Sequence, residues 1–176
     1  MAWFDPNGIE LHRVAGGVGV TRFLMEAERM EATRAAAKVA DRWRASSGPI
    51  AQCRLAAYEA ARGKSQLAMA LVRQHGMNNK PGLSGVYLSL GYFHLGRSRG
   101  MVARHYFRSA TRLAISDSDT AQARLGSILC DLTTQNYTEI RQRVKDSLEN
   151  AERLSAREKS FVTMVDQRLL ERFHGV

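Results

Sequence analysis

The residues with most chemistry to offer are arginines. Arg97 and Arg99 lie close together, and Arg104, Arg108 and Arg112 follow at four-residue steps, which would set the last three along one side of a helix. They belong to a block, residues 60–116, with nine Lys/Arg and no Asp/Glu, while the segments on either side are near neutral. The net charge of +9 is therefore local. A one-sign block steers acidic partners such as nucleic acid, acidic protein or anionic lipid, although a solvated face with no partner has the same composition.

Nucleophiles and metal ligands form no comparable pattern. His12, His75, His94, His105 and His174 have no HExxH company, and His94 with His105 is two ligands short of a closed zinc site. Cys53 and Cys130 are far apart and make neither a CxxC pair nor a disulfide framework. Residues 16–21, Gly-Gly-Val-Gly-Val-Thr, have glycines but no lysine before the threonine, so a phosphate loop is not expected. Gly82-Leu83-Ser84-Gly85-Val86 lacks the spacing of a nucleophile elbow. Glu26, Glu28 and Glu31 interleave with Arg22, Arg29 and Arg34 as a paired, solvated helix face. The expectation is a protein with no metal, no cofactor and no enzymatic activity.

The elements that would position the arginines are helical. Over 176 residues there are three prolines and no convincing strand alternation. No apolar run is long enough to cross a membrane, and the start lacks the pattern of a signal peptide, so a reducing, cytoplasmic setting is expected. Residues 1–20 read as an irregular arm, with turn signals at Asp5-Pro6-Asn7-Gly8 and Gly16-Gly17-Val18-Gly19. A single helical-repeat domain is expected over 21–176. It opens with a helix over 21–44 and continues with helices at about 50–61, 65–74, 84–95, 100–114, 120–133 and from Asn136. Ser155 and Glu158 form a capping box for a last helix over 155–173, whose Phe161, Val165, Leu169 and Phe173 repeat every four residues. Short loops imply antiparallel neighbours.

Within 84–117 the residues Tyr87, Leu90, Gly91 and His94 are followed by Ala103, Phe107 and Ala110. This spacing resembles the tetratricopeptide repeat, in which an aromatic, Leu-Gly and a second aromatic precede Ala and Phe on the next helix. His94 stands at the second aromatic position, and the closing proline is missing. Degenerate copies flank it: Ala56-Ala57 lies 34 residues before Leu90-Gly91, Leu125-Gly126 lies 35 after, and Pro81 stands where a preceding repeat would close. The resemblance covers about 50–151. It implies an all-α, TPR-like solenoid of antiparallel helix pairs with flanking capping helices. Gly91 and Ala103 would face one another where the two helices approach.

By the same resemblance, the first helices of the pairs would line a concave groove. Arg54, Tyr58, Leu88, Tyr92, Leu95 and Arg124 are then the expected groove residues, together with Ala123 and Ser127. Tyrosine and arginine are common interface anchors. The expected function is binding of a protein or peptide segment with apolar anchors and some acidic character, as an adaptor, scaffold or chaperone-like module. The chain is also similar in size and layout to small three-repeat bacterial chaperones. The alternative uses Arg97, Arg99, Arg104, Arg108 and Arg112 as a basic patch for nucleic acid, an acidic surface or self-association into a homo-oligomer.

Overall fold

The computed structural model describes residues 2–4, 10–13, 20–76, 79–134, 137–154 and 156–174. Among these the chain is helical except for one ribbon. Strand β1 (Ala2–Phe4) pairs antiparallel with β2 (Glu10–Arg13), Trp3 opposite His12. The expected irregular arm is thus corrected over seven residues. The turn signals at 5–8 and 16–19, and the capping box at residue 155, lie outside the described residues.

The helices are α1 (Val20–Ala37), α2 (Ala40–Ala45), α3 (Pro49–Ala61), α4 (Ser65–Leu71), α5 (Lys80–Gly96), α6 (Gly100–Leu113), α7 (Asp117–Thr134), α8 (Tyr137–Glu149) and α9 (Ala156–His174). A π-helical turn, Val72–Gly76, extends α4, and a 3-10 turn, Ala151–Arg153, follows α8. The single helix expected over 21–44 is two helices. The break at residues 38–39 seats Ala40 against Leu55 and Tyr58, with Ala36 and Trp43 packed beside them. Packing here outweighs an uninterrupted helix-forming run. Gln52 of α3 donates its amide to the carbonyls of Trp43 and Ser46, covering the end of α2.

Helix α5 begins four residues before the expected Ser84. The Asn79 side chain accepts from the Gly82 N–H at 3.3 Å, and Pro81 falls in the first turn, where its missing N–H costs nothing. Pro81 therefore opens a helix instead of closing one. Ser116 does the same for α7, accepting from the Asp119 N–H at 3.1 Å, so Asp117 to Asp119 lie inside the helix.

Consecutive helices pack as neighbours: α3 on α4, α5 on α6, α7 on α8 and α8 on α9. Helix α5 also lies against α3 and α7, and α6 against α7. The turn between α3 and α4 needs Gly63. Its φ is +81°, and the Phe93 ring occupies the space a Cβ would take. The middle of the core is Phe107, fully buried. Its ring fills the room left by two glycines on different helices, Gly91 of α5 and Gly126 of α7. A Cβ on Gly91, expected opposite Ala103, would meet the Phe107 ring, which α6 carries one turn beyond Ala103. Tyr92 meets Phe107 edge-on, with centroids 4.8 Å apart. Leu90 points the other way, into a second cluster with Ala56, Ala60, Val72 and Val86.

Candidate functional site

Helix α1 is not itself a member of the sequential pairs. It packs against α3 and α9, and β2 packs against α1 and α5. Between α1 and the wall formed by α3, α5 and α7 lies a cavity of about 320 Å³. From α1 it is lined by Arg29, Ala32 and Thr33, an i, i+3, i+4 face. The wall contributes Ala57 and Ala61 from α3, and Gly85, Leu88, Ser89 and Tyr92 from α5. Asp119 and Gln122 of α7 complete its far side.

Tyr92 organises this site. Its hydroxyl donates to the Gln122 carbonyl at 2.8 Å, fixing α5 to α7. One side of the ring backs onto Phe107, and the Arg29 guanidinium lies 3.6 Å from its centroid. A cation held over an aromatic face gains about 0.5–2 kcal/mol, more as water is excluded. Gly85 leaves open space: a Cβ there would meet nothing within 4 Å.

Of the expected groove residues, only Leu88 and Tyr92 line this cavity. Tyr58 packs instead with Ala40 and Leu55, and its hydroxyl accepts from Arg62 at 3.3 Å. Leu95, 3% exposed, belongs to the core. Arg54 is exposed on α3 away from the cavity lining. Ala123 is buried. Arg124 opens with Ser127 onto a different recess, between α6, α7 and α8. The α1 face was not legible in the sequence, because its small and charged residues show no apolar stripe.

The arginine row is also divided. Arg104 is turned inward, 8% exposed, and its guanidinium bonds the Asp131 carboxylate, which is fully buried. Arg143 Nε donates to the other oxygen of Asp131 at 2.7 Å, and Arg143 Nη2 donates to Glu139 at 2.9 Å. Burial pushes the Asp131 carboxyl above its ordinary value, while Arg143 and Arg104 pull it back. Arg104 is therefore a core ion-pair partner, not part of a basic patch. Arg97 lies 3.8 Å over the Phe93 ring, while Arg99, Arg108 and Arg112 are exposed.

His94, Cys53 and Cys130 sit in packing roles. His94 stacks on Tyr106 at 5.4 Å with planes 9° apart. Burial, with Arg99 and Arg97 nearby, holds it below the ordinary histidine value, which favours the neutral ring. The Cys130 thiol is pushed up to about 12 by burial, and burial also raises Cys53, so neither is poised as a thiolate. A wide recess of about 950 Å³ between α8 and α9 has mixed charge, including Arg141, Lys145, Glu149 and Asp166. Among the described residues no group of three His, Cys, Asp or Glu is placed to hold a metal, and no helix is long and apolar enough to cross a membrane.

No protein-family model matches the chain, and neither a curated protein nor a solved structure does.

Proposed function

We propose that the chain is a non-enzymatic, TPR-like interaction module. In this reading α3–α4, α5–α6 and α7–α8 are three two-helix units closed by α9. The wall of α3, α5 and α7 receives a helical segment of a partner protein. The observation that carries the proposal is the placement of α1, which lays Arg29, Ala32 and Thr33 against that wall around a partly filled cavity. A chain that seats one of its own helices there has a surface suited to a helix, and α1 shows which face suits it.

The partner segment takes the place of α1 and presents two or three small or apolar residues at helical spacing. Beside them it carries a cation for the Tyr92 ring, near Asp119. This revises the expected acidic ligand. Displacing α1 lowers the net affinity by the cost of undocking it, so the module is held closed until a stronger helix arrives. Buried, free Cys53 and Cys130 suit a reducing cytoplasm, where an adaptor or chaperone-like role would be exercised. An extended nucleic-acid partner is not favoured, because Arg104 is withdrawn from the row that would track it.

Gly85 supplies a test that separates binding from folding. Gly85→Ala should stabilise the chain by up to about 1 kcal/mol, the helix-propensity gain, and retain partner capture. Gly85→Leu fills the cavity, so it should leave the melting temperature at or above that of the parent and abolish capture from native cytoplasm. Equal capture by the Leu variant and the parent would remove the proposed binding face.

A further inference from the structure

The recess between α6, α7 and α8 has chemistry of its own. It encloses about 290 Å³ and is lined by Arg108 and Arg112 of α6, Arg124 of α7, and Arg143 and Asp146 of α8. Two hydroxyls, Thr111 and Ser127, complete it. Both donate to backbone carbonyls of their own helices, Phe107 and Ala123, at 3.0 Å. The donors left facing the recess are guanidiniums. Arg143 is committed to Asp131 and Glu139, and Asp146 accepts from Gln142 at 2.9 Å. Arg108, Arg112 and Arg124 make no ion pair among the described residues.

Three guanidiniums from two helices are thus held around one concave space by the same packing that buries Phe107 and Asp131. Like charges at such spacing repel, and water screens this less in a recess than on a flat surface. Guanidinium forks pair with phosphate oxygens two at a time. A singly charged carboxylate would leave most of this charge unmatched, and an extended polyanion needs a stripe, which the inward turn of Arg104 interrupts. We infer that this recess is a binding site for a phosphate monoester, a compact dianion gripped by Arg108, Arg112 and Arg124. The inference is independent of the α1-covered wall, which lies elsewhere on the molecule.

The test uses the full chain at low ionic strength, titrated calorimetrically with inorganic phosphate, a phosphoserine peptide, the unphosphorylated peptide and a single-stranded oligonucleotide. Saturable binding of phosphate or phosphopeptide is expected, with none for the unphosphorylated peptide. Arg112→Gln and Arg124→Gln should each weaken it about tenfold, the equivalent of one lost charged hydrogen bond. Arg73→Gln, an exposed arginine on the π-helical turn, should not. Tighter binding of the phosphopeptide than of phosphate would assign the group to a protein partner, and equal binding to a free small molecule. The inference is overturned by absence of binding of both phosphate and phosphopeptide, by equal weakening in Arg73→Gln, or by oligonucleotide binding alone that Arg124→Gln leaves unchanged.

Discussion

Phe107→Ala is expected to cost about 3–5 kcal/mol, enough to consume much of the stability of a domain this size. The ring is fully buried and occupies space vacated by Gly91 and Gly126 at once, so its removal opens a cavity bounded by three helices. The converse substitutions test the same geometry. A Cβ on Gly91 would come within 2.7 Å of the Phe107 ring, and one on Gly126 would approach it more closely still. Alanine in place of a helical glycine normally gains about 0.5–1 kcal/mol. Here overpacking costs about 1–3 kcal/mol, and a ring buried on all sides has nowhere to move. Gly91→Ala should therefore destabilise the chain, and Gly126→Ala should do so more. Phe107→Leu should recover part of the Gly126→Ala loss in a double-mutant cycle. Gly85→Ala, six residues from Gly91 on the same helix, should have the opposite sign. Urea unfolding reads all of these, and a neutral Gly126→Ala would contradict the packing.

Asp131→Ala is the second large effect, expected at about 3–5 kcal/mol. The carboxylate contributes little by attraction alone, since taking it out of water offsets much of the gain. The cost arises from what its removal leaves behind. Arg104, 8% exposed, would lose the buried carboxylate it bonds, while Glu139, 3.7 Å away, is itself half-exposed. Arg104→Ala should be comparably damaging, because it takes from a fully buried carboxylate one of the two guanidiniums that pair with it. Replacing both, as Arg104→Met with Asp131→Leu, should restore most of the loss, because an apolar pair of similar volume avoids the desolvation. Arg108→Ala, one turn further along α6 and exposed at the rim of the recess, should stay within about 0.5 kcal/mol. Thermal unfolding distinguishes these outcomes, and a cost below about 1 kcal/mol for Asp131→Ala would show that the network does not hold the three helices together.

These two groups also show what could be read from the chain. The Leu90-Gly91 and Ala103-Phe107-Ala110 spacings located α5 and α6 and the aromatic between them, because close helix crossings need small residues at fixed steps. Leu125-Gly126 marked the same demand on the next helix. Arg104 was not legible. An i, i+4, i+8 row looks the same whether solvated or not, and its partner Asp131 lies 27 residues away on another helix. The Asn79 cap was hidden by Pro81 and Gly82, which usually end helices but here lie in a first turn. Of the residues expected in a groove, Leu88 and Tyr92 line the cavity beside α1, whereas Tyr58 is covered by α2, which the break after α1 brings over it. Nothing local in residues 20–37 shows that Arg29 will meet a ring 63 positions further on, since that contact depends on how the finished pairs stack.

The face between α1 and the helix wall is best tested with a photo-crosslinking side chain placed at Ser89 of the full chain. In the purified protein, adducts to α1 around residues 29–33 are expected. In native cytoplasm these adducts should give way to a partner's helical segment, and a crosslinker at exposed Lys145 should capture none of it. Adducts at Ser89 that never include α1, or a partner captured equally well from Lys145, would contradict the account.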